Sequence, residues 1–286
     1  MLGSVGDLVE DVVVRLHERV NVASDTRATV IRRRGGSAAN VIAAARRAGG
    51  AARFIGQVGD DVTGRSLTDA LAGDGAEVVV RRAGRSGTIV VLVDVVGERT
   101  MLSDRAACTE LTDPDQAWLD GLHTLHIPYY SLICEPLATT SATLARWAAA
   151  RGIRVSIDMS SAAVLHHVGS AQALATIRSL HPAVVLANEL EAAVLGSMMH
   201  PDHLGGALVV IKQGAEPAIV LAAGEPPVHV PAEVVSDVHD TTGAGDAFAA
   251  GLLLALAAHA DPISATRRAH AVAADAVRRA SAPIPT

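Results

Sequence analysis

The chain carries at residues 239–256 the stretch HDTTGAGDAFAAGLLLAL, in which a turn of glycine and threonine leads into a helix of alanine and leucine. Asp246 lies in the first turn of that helix, directly after Gly243, Ala244 and Gly245. The first N–H groups of a helix have no intrahelical acceptor and lie at the positive end of its dipole. The stretch therefore predicts a site for an anion such as phosphate. A carboxylate beside it is well placed to take a proton from an attacking hydroxyl.

The sequence excludes several common kinds of phosphate-binding site. The same residues also fit an ordinary helix start, with Asp246 in the first turn and glycines at the bend. A dinucleotide fingerprint is excluded, because Phe248 stands where glycine or alanine is needed. Lys212 is the only lysine, and neither a Walker A loop nor a protein-kinase motif surrounds it. Phosphate chemistry must therefore use backbone amides, arginine or a metal ion.

The composition is that of a globular chain with a slight acidic excess. Its 286 residues, 50% hydrophobic and 19% charged, suffice for one large α/β domain. A net charge of −6 argues against nucleic acid or an anionic membrane as the main partner. The longest apolar run, residues 247–258, is too short to span a bilayer, and acidic residues among the first twelve argue against a secretory signal. Cys108 and Cys134 are too few for a zinc site or a disulfide framework, so we expect a cytoplasmic protein.

Strands and helices alternate through most of the chain. Buried strands such as RFIGQVG (53–59) and RVSIDMS (154–160) are separated by helical segments, and two helices over about 245–259 and 264–280 follow a strand near 227–235. Another helix is expected over about 170–180. This alternation predicts β-α-β units and a mainly parallel sheet of eight or nine strands between helices.

Three early segments lie outside this alternation. Residues 9–16, 28–33 and 87–102 alternate in polarity and predict a separate small sheet. We interpret the segments at about 9–34 and 85–104 as a β appendage within a single domain of residues 1–286. A sheet with a bare apolar face needs a partner surface, either the closed active site or a second subunit, and we expect the appendage to join two chains as a homodimer. The side chains expected to be buried there are Val12, Val14, Ile89, Val91 and Val93.

Several motifs together resemble the ribokinase/PfkB family of carbohydrate kinases. DTTGAGDAF (240–248) is similar to the family's C-terminal signature, and GGSAANVIAAARRAGG (35–50) is similar to its N-terminal signature. Further motifs occur in the family's order: GDLVED (6–11), FIGQVGDDVTGRSL (54–67), ANELE (187–191) and VVIKQG (209–214). The resemblance implies a ribokinase-like three-layer α/β/α sandwich with a β-sheet lid over the sugar, formed by the segments at about 9–34 and 85–104. It also implies ATP-dependent phosphorylation of a sugar hydroxyl, with Mg²⁺ and, in some members, K⁺.

The resemblance implies roles for individual residues on the phosphate side. Asp246 matches the base that deprotonates the sugar hydroxyl. The residues that match the anion hole and the ATP site are Gly243, Ala244, Gly245, Lys212 and Gly214. Asn188 and Glu191 match a motif that orders Mg²⁺ through water, although the residues alone equally fit a capped helix start. Asp240 and Thr242 match a possible monovalent-cation site, or turn residues that bond to their own backbone.

On the sugar side, the matching residues are Asp11, Gly35, Gly36 and Asn40. Ala106, Ala107 and Cys108 replace a Gly-Ala-Asn pattern of the family, which indicates an unusual acceptor. Arg105 suits a carboxylate or phosphate on that acceptor, or else a surface position. Asp7 is interpreted as structural. His270 is expected at the surface of the last helix, and Lys212 fits a solvated strand end as well as a nucleotide contact.

Two alternatives stay open at this point. One is a nucleoside kinase of the same family, although the chain has only six aromatic residues with which to stack a base. The other is a non-catalytic sugar-sensing protein on the same fold, which an intact Asp246 and glycine loop disfavour. The identity of the sugar and of its reacting hydroxyl does not follow from the sequence.

Overall fold

The computed structural model describes residues 1–281; the last five residues of the expected domain lie outside the described residues. The strands are β1 (Leu2–Val5), β2 (Val9–Leu16), β3 (Ala28–Gly35), β4 (Ala52–Val58), β5 (Glu77–Arg82), β6 (Thr88–Val93), β7 (Arg99–Asp104), β8 (Thr124–Pro128), β9 (Arg154–Asp158), β10 (Val184–Asn188), β11 (Leu208–Gln213), β12 (Glu216–Leu221) and β13 (Val228–Val230). The α-helices are α1 (Ser37–Arg47), α2 (Val62–Gly73), α3 (Leu137–Ala150), α4 (Ala162–Val168), α5 (Ser170–Ser179), α6 (Glu189–Leu195), α7 (Ala244–Ala257) and α8 (Pro262–Ser281).

Nine strands form the large sheet, in the order β13-β12-β11-β10-β9-β8-β1-β4-β5. All pairs from β11 to β5 are parallel, and β12 and β13 add antiparallel pairs at one edge. The carboxyl ends of β9, β10 and β11 therefore lie side by side at one edge of the sheet. The predicted fold class, a mainly parallel sheet between helices, is confirmed.

Helices cover both faces of this sheet. Successive residues of a strand point to opposite faces, and in β4 Phe54 belongs to the core under α1, α7 and α8, whereas Ile55 belongs to the core under α3 and α5. Both side chains are fully buried. The strands thus read as continuous apolar runs, as expected for a sheet covered on both sides. Among the described helices, none is long and apolar enough to cross a bilayer.

Helix α7 lies in the middle of its layer, between α1 and α8. It buries every residue from Ala247 to Leu253, which explains why its sequence is apolar all round. A Cβ on Gly251 would lie 2.9 Å from the Cα of Ala269, so the glycine lets α8 pack closely. This packing fixes the N-terminal turn of α7, and with it Asp246.

The second sheet has four strands in the order β3-β2-β6-β7 and consists of the segments predicted as the lid. We keep the name lid for these strands and their connections. Strand β2 pairs antiparallel with β3 and parallel with β6, and β6 pairs antiparallel with β7. The inner face of the lid lies over the core, with Ile89 and Val91 lining a cavity there.

The expected burial of five lid side chains is only partly correct. Val12 is opposite Val90, whereas Val13 is opposite Val91. Side chains alternate along a strand, so Val12 and Val14 lie on the outer face, and Ile89, Val91 and Val93 lie on the inner face. Val91 is buried and the other four are half-buried.

Two local predictions also differ from the structure. The segment 162–168 forms helix α4, which the sequence did not indicate, while the expected helix near 170–180 is α5. The strand expected over 227–235 is reduced to β13, Val228–Val230. Pro231 follows it, and proline has no N–H to continue a ladder.

Candidate active site

The first turns of α1 and α7 meet at the carboxylate of Asp246. Ser37 Oγ donates to Asp246 Oδ1 at 2.6 Å, and Asn40 Nδ2 donates to Asp246 Oδ2 at 3.0 Å. Burial raises the pKa of Asp246 to about 6, although these two hydrogen bonds act to lower it. A carboxylate with this pKa, held in one orientation, suits a general base near neutral pH. The N-cap of α1 is Gly36, so the Ser37 hydroxyl holds Asp246 rather than capping the helix.

Residues 240–245, which we call the phosphate loop, lead into α7. Gly243 is left-handed, with φ of 78°, a conformation that favours glycine. Ala244 N–H donates to Thr241 O at 3.1 Å, so one of the three predicted anion-hole amides already has an acceptor. No acceptor in the described chain takes the N–H of Gly243 or of Gly245. These two amides are free to bind an anion.

The single lysine lies beneath this loop. Lys212, near the end of β11, bonds through Nζ to Asp158 Oδ2 of β9 at 2.5 Å, and its side chain is 13% exposed. The expectation of a solvated lysine is therefore wrong. Lys212 Nζ is 3.5 Å from the position that a Cβ would take on Gly245. Burial acts to lower the pKa of Lys212, but the charges of Asp158 and Glu191 outweigh it and raise the pKa, so the positive charge persists.

Asn188 and Glu191 form a complete capping box at the start of α6. Asn188 Oδ1 accepts the N–H of Glu191 at 2.9 Å, and Glu191 Oε2 accepts the N–H of Asn188 at 2.8 Å. Burial and the nearby charge of Asp158 raise the pKa of Glu191 to about 7. The capped-helix interpretation is thus correct, and both residues also line the same cavity as Asp246.

A cavity of about 370 Å³ lies between the core and the lid, with Asp246 and Lys212 at one end. At the other end Arg105 donates from Nε and Nη2 to the two oxygens of Asp7, at 2.7 and 2.8 Å. The guanidinium also lies 5.9 Å from the ring centroid of Tyr130. Arg105 is therefore not a surface residue, and Asp7, interpreted from sequence as structural, faces the cavity.

Asp11, which the resemblance assigns to the sugar, lies on the inner face of the lid and lines the cavity. Burial raises its pKa, and Arg33, 3.9 Å away, acts in the opposite direction. A Cβ on Gly35 would lie 2.1 Å from Asp11 Oδ1, and one on Gly36 would lie 2.3 Å from Asp7 O. Both glycines permit a close approach, but the groups next to them are the Asp11 carboxylate and the Asp7 backbone rather than a bound sugar. Asn40 lines the cavity while its amide holds Asp246.

Comparisons with known proteins agree with this geometry. A family model described as pfkB family carbohydrate kinase matches residues 2–286. The chain belongs to this family. A fructokinase of Klebsiella pneumoniae is 32% identical over 226 residues, covering 73% of this chain and 72% of the relative. Membership confirms the expectation of an ATP-dependent sugar kinase.

Solved structures show the fold of this pfkB kinase independently. The adenosine kinase of Sinorhizobium meliloti superposes with a TM-score of 0.84 at 23% identity, covering 97% of this chain and 93% of the other. A sugar kinase of Pyrococcus horikoshii, solved in complex with ATP, gives 0.81 at 22% identity, covering 97% and 92%. At these identities the likeness concerns the fold alone.

In this pfkB kinase, Asp240 and Thr242 do not form an open cation site. Arg99 of the lid donates to Asp240 Oδ1 at 2.9 Å and to Thr242 Oγ1 at 2.8 Å. Arg33 lies 3.4 Å from Asp240 Oδ2. Two guanidinium groups thus stand where a monovalent cation was expected.

Gly214 and His270 lie apart from the cavity. Gly214 is in the β11–β12 turn with φ of 61°, where left-handed backbone favours glycine, and it does not line the cavity of Asp246. His270 was expected at the surface, but it is buried and bonds to Val230 O at 3.1 Å. Its ring also stands edge-on to Phe248, with the ring centroids 5.1 Å apart. An apolar face of α8 at that position would have indicated the burial.

Proposed function

We propose that this kinase transfers the γ-phosphoryl group of ATP to a hydroxyl of a neutral monosaccharide, with Asp246 as the base. The observation that carries the proposal is the Asp246 carboxylate, held by Ser37 and Asn40 in a cavity beside the free phosphate-loop amides. Asp246 takes the hydroxyl proton while the hydroxyl oxygen bonds to the γ-phosphorus. The bond from that phosphorus to the bridging oxygen breaks, and ADP leaves with its electron pair.

The charge that develops in this transfer is matched by fixed donors. Gly243 and Gly245 contribute their N–H groups at the positive end of α7. Lys212, next to Gly245, contributes a buried positive charge held in place by Asp158. Such preorganised groups stabilise the spread negative charge of the transition state without having to reorganise.

Asn188 and Glu191 would hold Mg²⁺ through water. Each Glu191 oxygen accepts one hydrogen bond from Asn188 and keeps capacity for a second. Residues 1–281 contain no group of three or more His, Cys, Asp or Glu side chains placed to bind a metal directly. This arrangement suits an ion that retains several waters and takes phosphate ligands. The ion, when bound, neutralises charge on the phosphates.

The acceptor end suits an uncharged polyol. Asp7 and Asp11 offer carboxylate oxygens, and the charge of Arg105 is already matched by Asp7. Among the described residues, an acidic acceptor would therefore find no unpaired cation there. A cavity of about 370 Å³ is at the small end of ligand pockets, as a monosaccharide requires. The relationship to a fructokinase makes fructose the first acceptor to test.

A nucleoside acceptor is the second candidate, since a structural neighbour is an adenosine kinase. A flat base needs a stacking surface, and Tyr130 is the only aromatic side chain that lines the cavity in the described chain. Tyr130 already lies against Arg105. These contacts favour the sugar.

The outer face of the lid supports a homodimer. Val12, Val14, Val90 and Leu92 lie there half-buried, and Leu102 is 54% exposed. A second copy of the chain would cover this apolar surface. We also propose a cytoplasmic location, because ATP is the co-substrate and both cysteines are free thiols.

A screen of ADP release over pentoses, hexoses, keto-deoxy acids, phosphosugars and nucleosides tests the proposal. Turnover with fructose or another neutral sugar, absent in the Asp246→Asn protein, supports it. Preference for a nucleoside or an acidic sugar would overturn the assignment of the acceptor. Binding of a sugar without transfer to any acceptor would instead indicate a sensing protein.

A further inference from the structure

Two arginines of the lid converge on one carboxylate of the core. Arg99, the first residue of β7, binds Asp240 and Thr242 through separate nitrogens, at 2.9 and 2.8 Å. Arg33, in β3, approaches the other oxygen of Asp240 at 3.4 Å. The Asp240 side chain is only 5% exposed. These contacts join the lid directly to the phosphate loop.

Asp240 in turn determines the course of the loop. Its Oδ1 accepts the N–H of Thr242 at 2.8 Å, and its own N–H bonds to Ser281 Oγ at 3.2 Å. Thr242 immediately precedes Gly243, whose N–H is one of the two free amides. The direction of that amide therefore depends on the Asp240 carboxylate.

The carboxylate stays ionised in this position. Burial alone would raise the pKa of Asp240, but hydrogen bonds from Thr242 and Arg99, together with the Arg99 charge, lower it to about 2. A buried charge needs a balancing charge. Here the lid supplies it, and without the lid arginines the loop would contain an uncompensated anion beside the phosphate site.

The same oxygens do not fit a monovalent cation. Asp240 Oδ1 already has two donors, and Thr242 Oγ1 accepts from Arg99. A metal ion at these oxygens would lie within a few ångströms of two guanidinium groups, where like charges repel strongly because solvent is excluded. The Asp240 carboxylate can therefore be balanced either by the arginines or by a metal ion, but not by both at once.

We infer that Arg99, supported by Arg33, takes the place of a monovalent cation at Asp240 and makes the order of the phosphate loop depend on a closed lid. The inference rests on the proposed function, since it assumes that the loop binds the transferred phosphoryl group. Arg99 is a positioning residue, because it acts through Asp240 and Thr242. The transfer then needs no alkali-metal cation, and the loop is ordered only while the lid is closed over the core.

The first test does not depend on catalysis. Hydrogen exchange of the peptide covering residues 237–246 is measured in the ligand-free wild type, Arg99→Ala and Arg33→Ala. The control is Arg27→Ala, an exposed lid arginine whose one ion pair within residues 1–281 is with Glu18. We expect at least fivefold faster exchange in Arg99→Ala, a smaller increase in Arg33→Ala and none in Arg27→Ala. Equal exchange in Arg99→Ala and Arg27→Ala would overturn the inference, whether or not an acceptor is found.

The second test uses the acceptor found in the screen. Turnover is compared in chlorides of potassium, sodium and tetramethylammonium at equal ionic strength. The wild type should vary by less than twofold, and Arg99→Ala should lose at least tenfold and recover in part with K⁺ or methylguanidinium. Arg99→Lys should retain more activity than Arg99→Ala, and Arg27→Ala should match the wild type. A tenfold fall of the wild type in tetramethylammonium would show that Asp240 binds an alkali cation despite Arg99.

Discussion

The two ends of the cavity are built differently. At the phosphate end, Asp158, Lys212 and Asp246 come from strand ends and a helix of one rigid core, and their contacts stay within that core. At the acceptor end, Asp11 and Arg105 come from the lid or its border, and Arg105 binds Asp7 of the core directly. Changes at the phosphate end should therefore affect the chemical step, whereas changes at the acceptor end should affect which molecule binds.

The largest effect is expected from Asp246→Asn. The amide keeps the shape of the side chain but cannot accept the hydroxyl proton, so kcat should fall by about 10²–10⁴. The KM for ATP should change little, because the free amides of the phosphate loop are untouched. Steady-state kinetics measures both, with Asp69→Asn, an exposed change on α2, as the control. Near-normal turnover in Asp246→Asn would mean that the base lies elsewhere.

The matching change at the acceptor end is Asp11→Ala. A hydrogen bond to a charged group contributes about 1.5–3 kcal/mol, so the KM for the acceptor should rise about 10–100-fold. The KM for ATP should stay within about twofold, and the exposed lid change Asp25→Ala should alter neither. An equal rise of both KM values would place Asp11 outside the acceptor site and remove the contrast between the two ends.

The pH dependence of the rate should identify the base at the phosphate end. Asp246 acts as a base only when ionised, and its pKa is about 6. The rate should thus rise with pH below 6, by about tenfold per unit, and level off above it. Glu191, with a pKa of about 7, titrates nearby. The fall of the rate below pH 6 should persist in Glu191→Gln. If the rate of that variant no longer falls at low pH, the titrating group is Glu191 rather than Asp246.

The smallest expected change concerns assembly. Light scattering should give twice the chain mass of 29.3 kDa for the wild type. Leu92→Glu places a charge on the outer face of the lid and should give the mass of one chain. Val62→Glu, on an exposed position of α2, should remain a dimer. A monomeric wild type at micromolar concentration would show that the outer face has no second copy on it.

The sequence predicts those parts of the molecule that follow from local patterns. The alternation of strands and helices predicts the large sheet. The Gly-rich turn before α7 predicts the position of Asp246 and of the free loop amides. Each prediction depends only on residues close together in the sequence. The contact from Ser37 to Asp246 joins residues 209 positions apart, and no local pattern contains it. The same holds for Arg105 with Asp7, 98 positions apart.

The sequence also does not show which charged side chains are buried. Lys212 lies near the end of β11, where a lysine is usually solvated, and the carboxylate that pairs with it comes from β9, two strands away in the sheet. Arg99 similarly looks like an exposed hairpin residue until the lid is placed over Asp240. In both cases the partner comes from an element whose position depends on the whole fold.

The position of the only lysine gives the proposed active site a spectroscopic label that no other part of the chain shares. Isotopic labelling of lysine would give a single side-chain ammonium signal, and that signal would come from the group between Asp158 and Gly245. Its chemical shift would respond to nucleotide, to acceptor and to the protonation of Glu191 without any assignment work. An amine-directed reagent would reach Lys212 only when the cavity opens. The rate at which Lys212 is modified would therefore measure how often the lid opens.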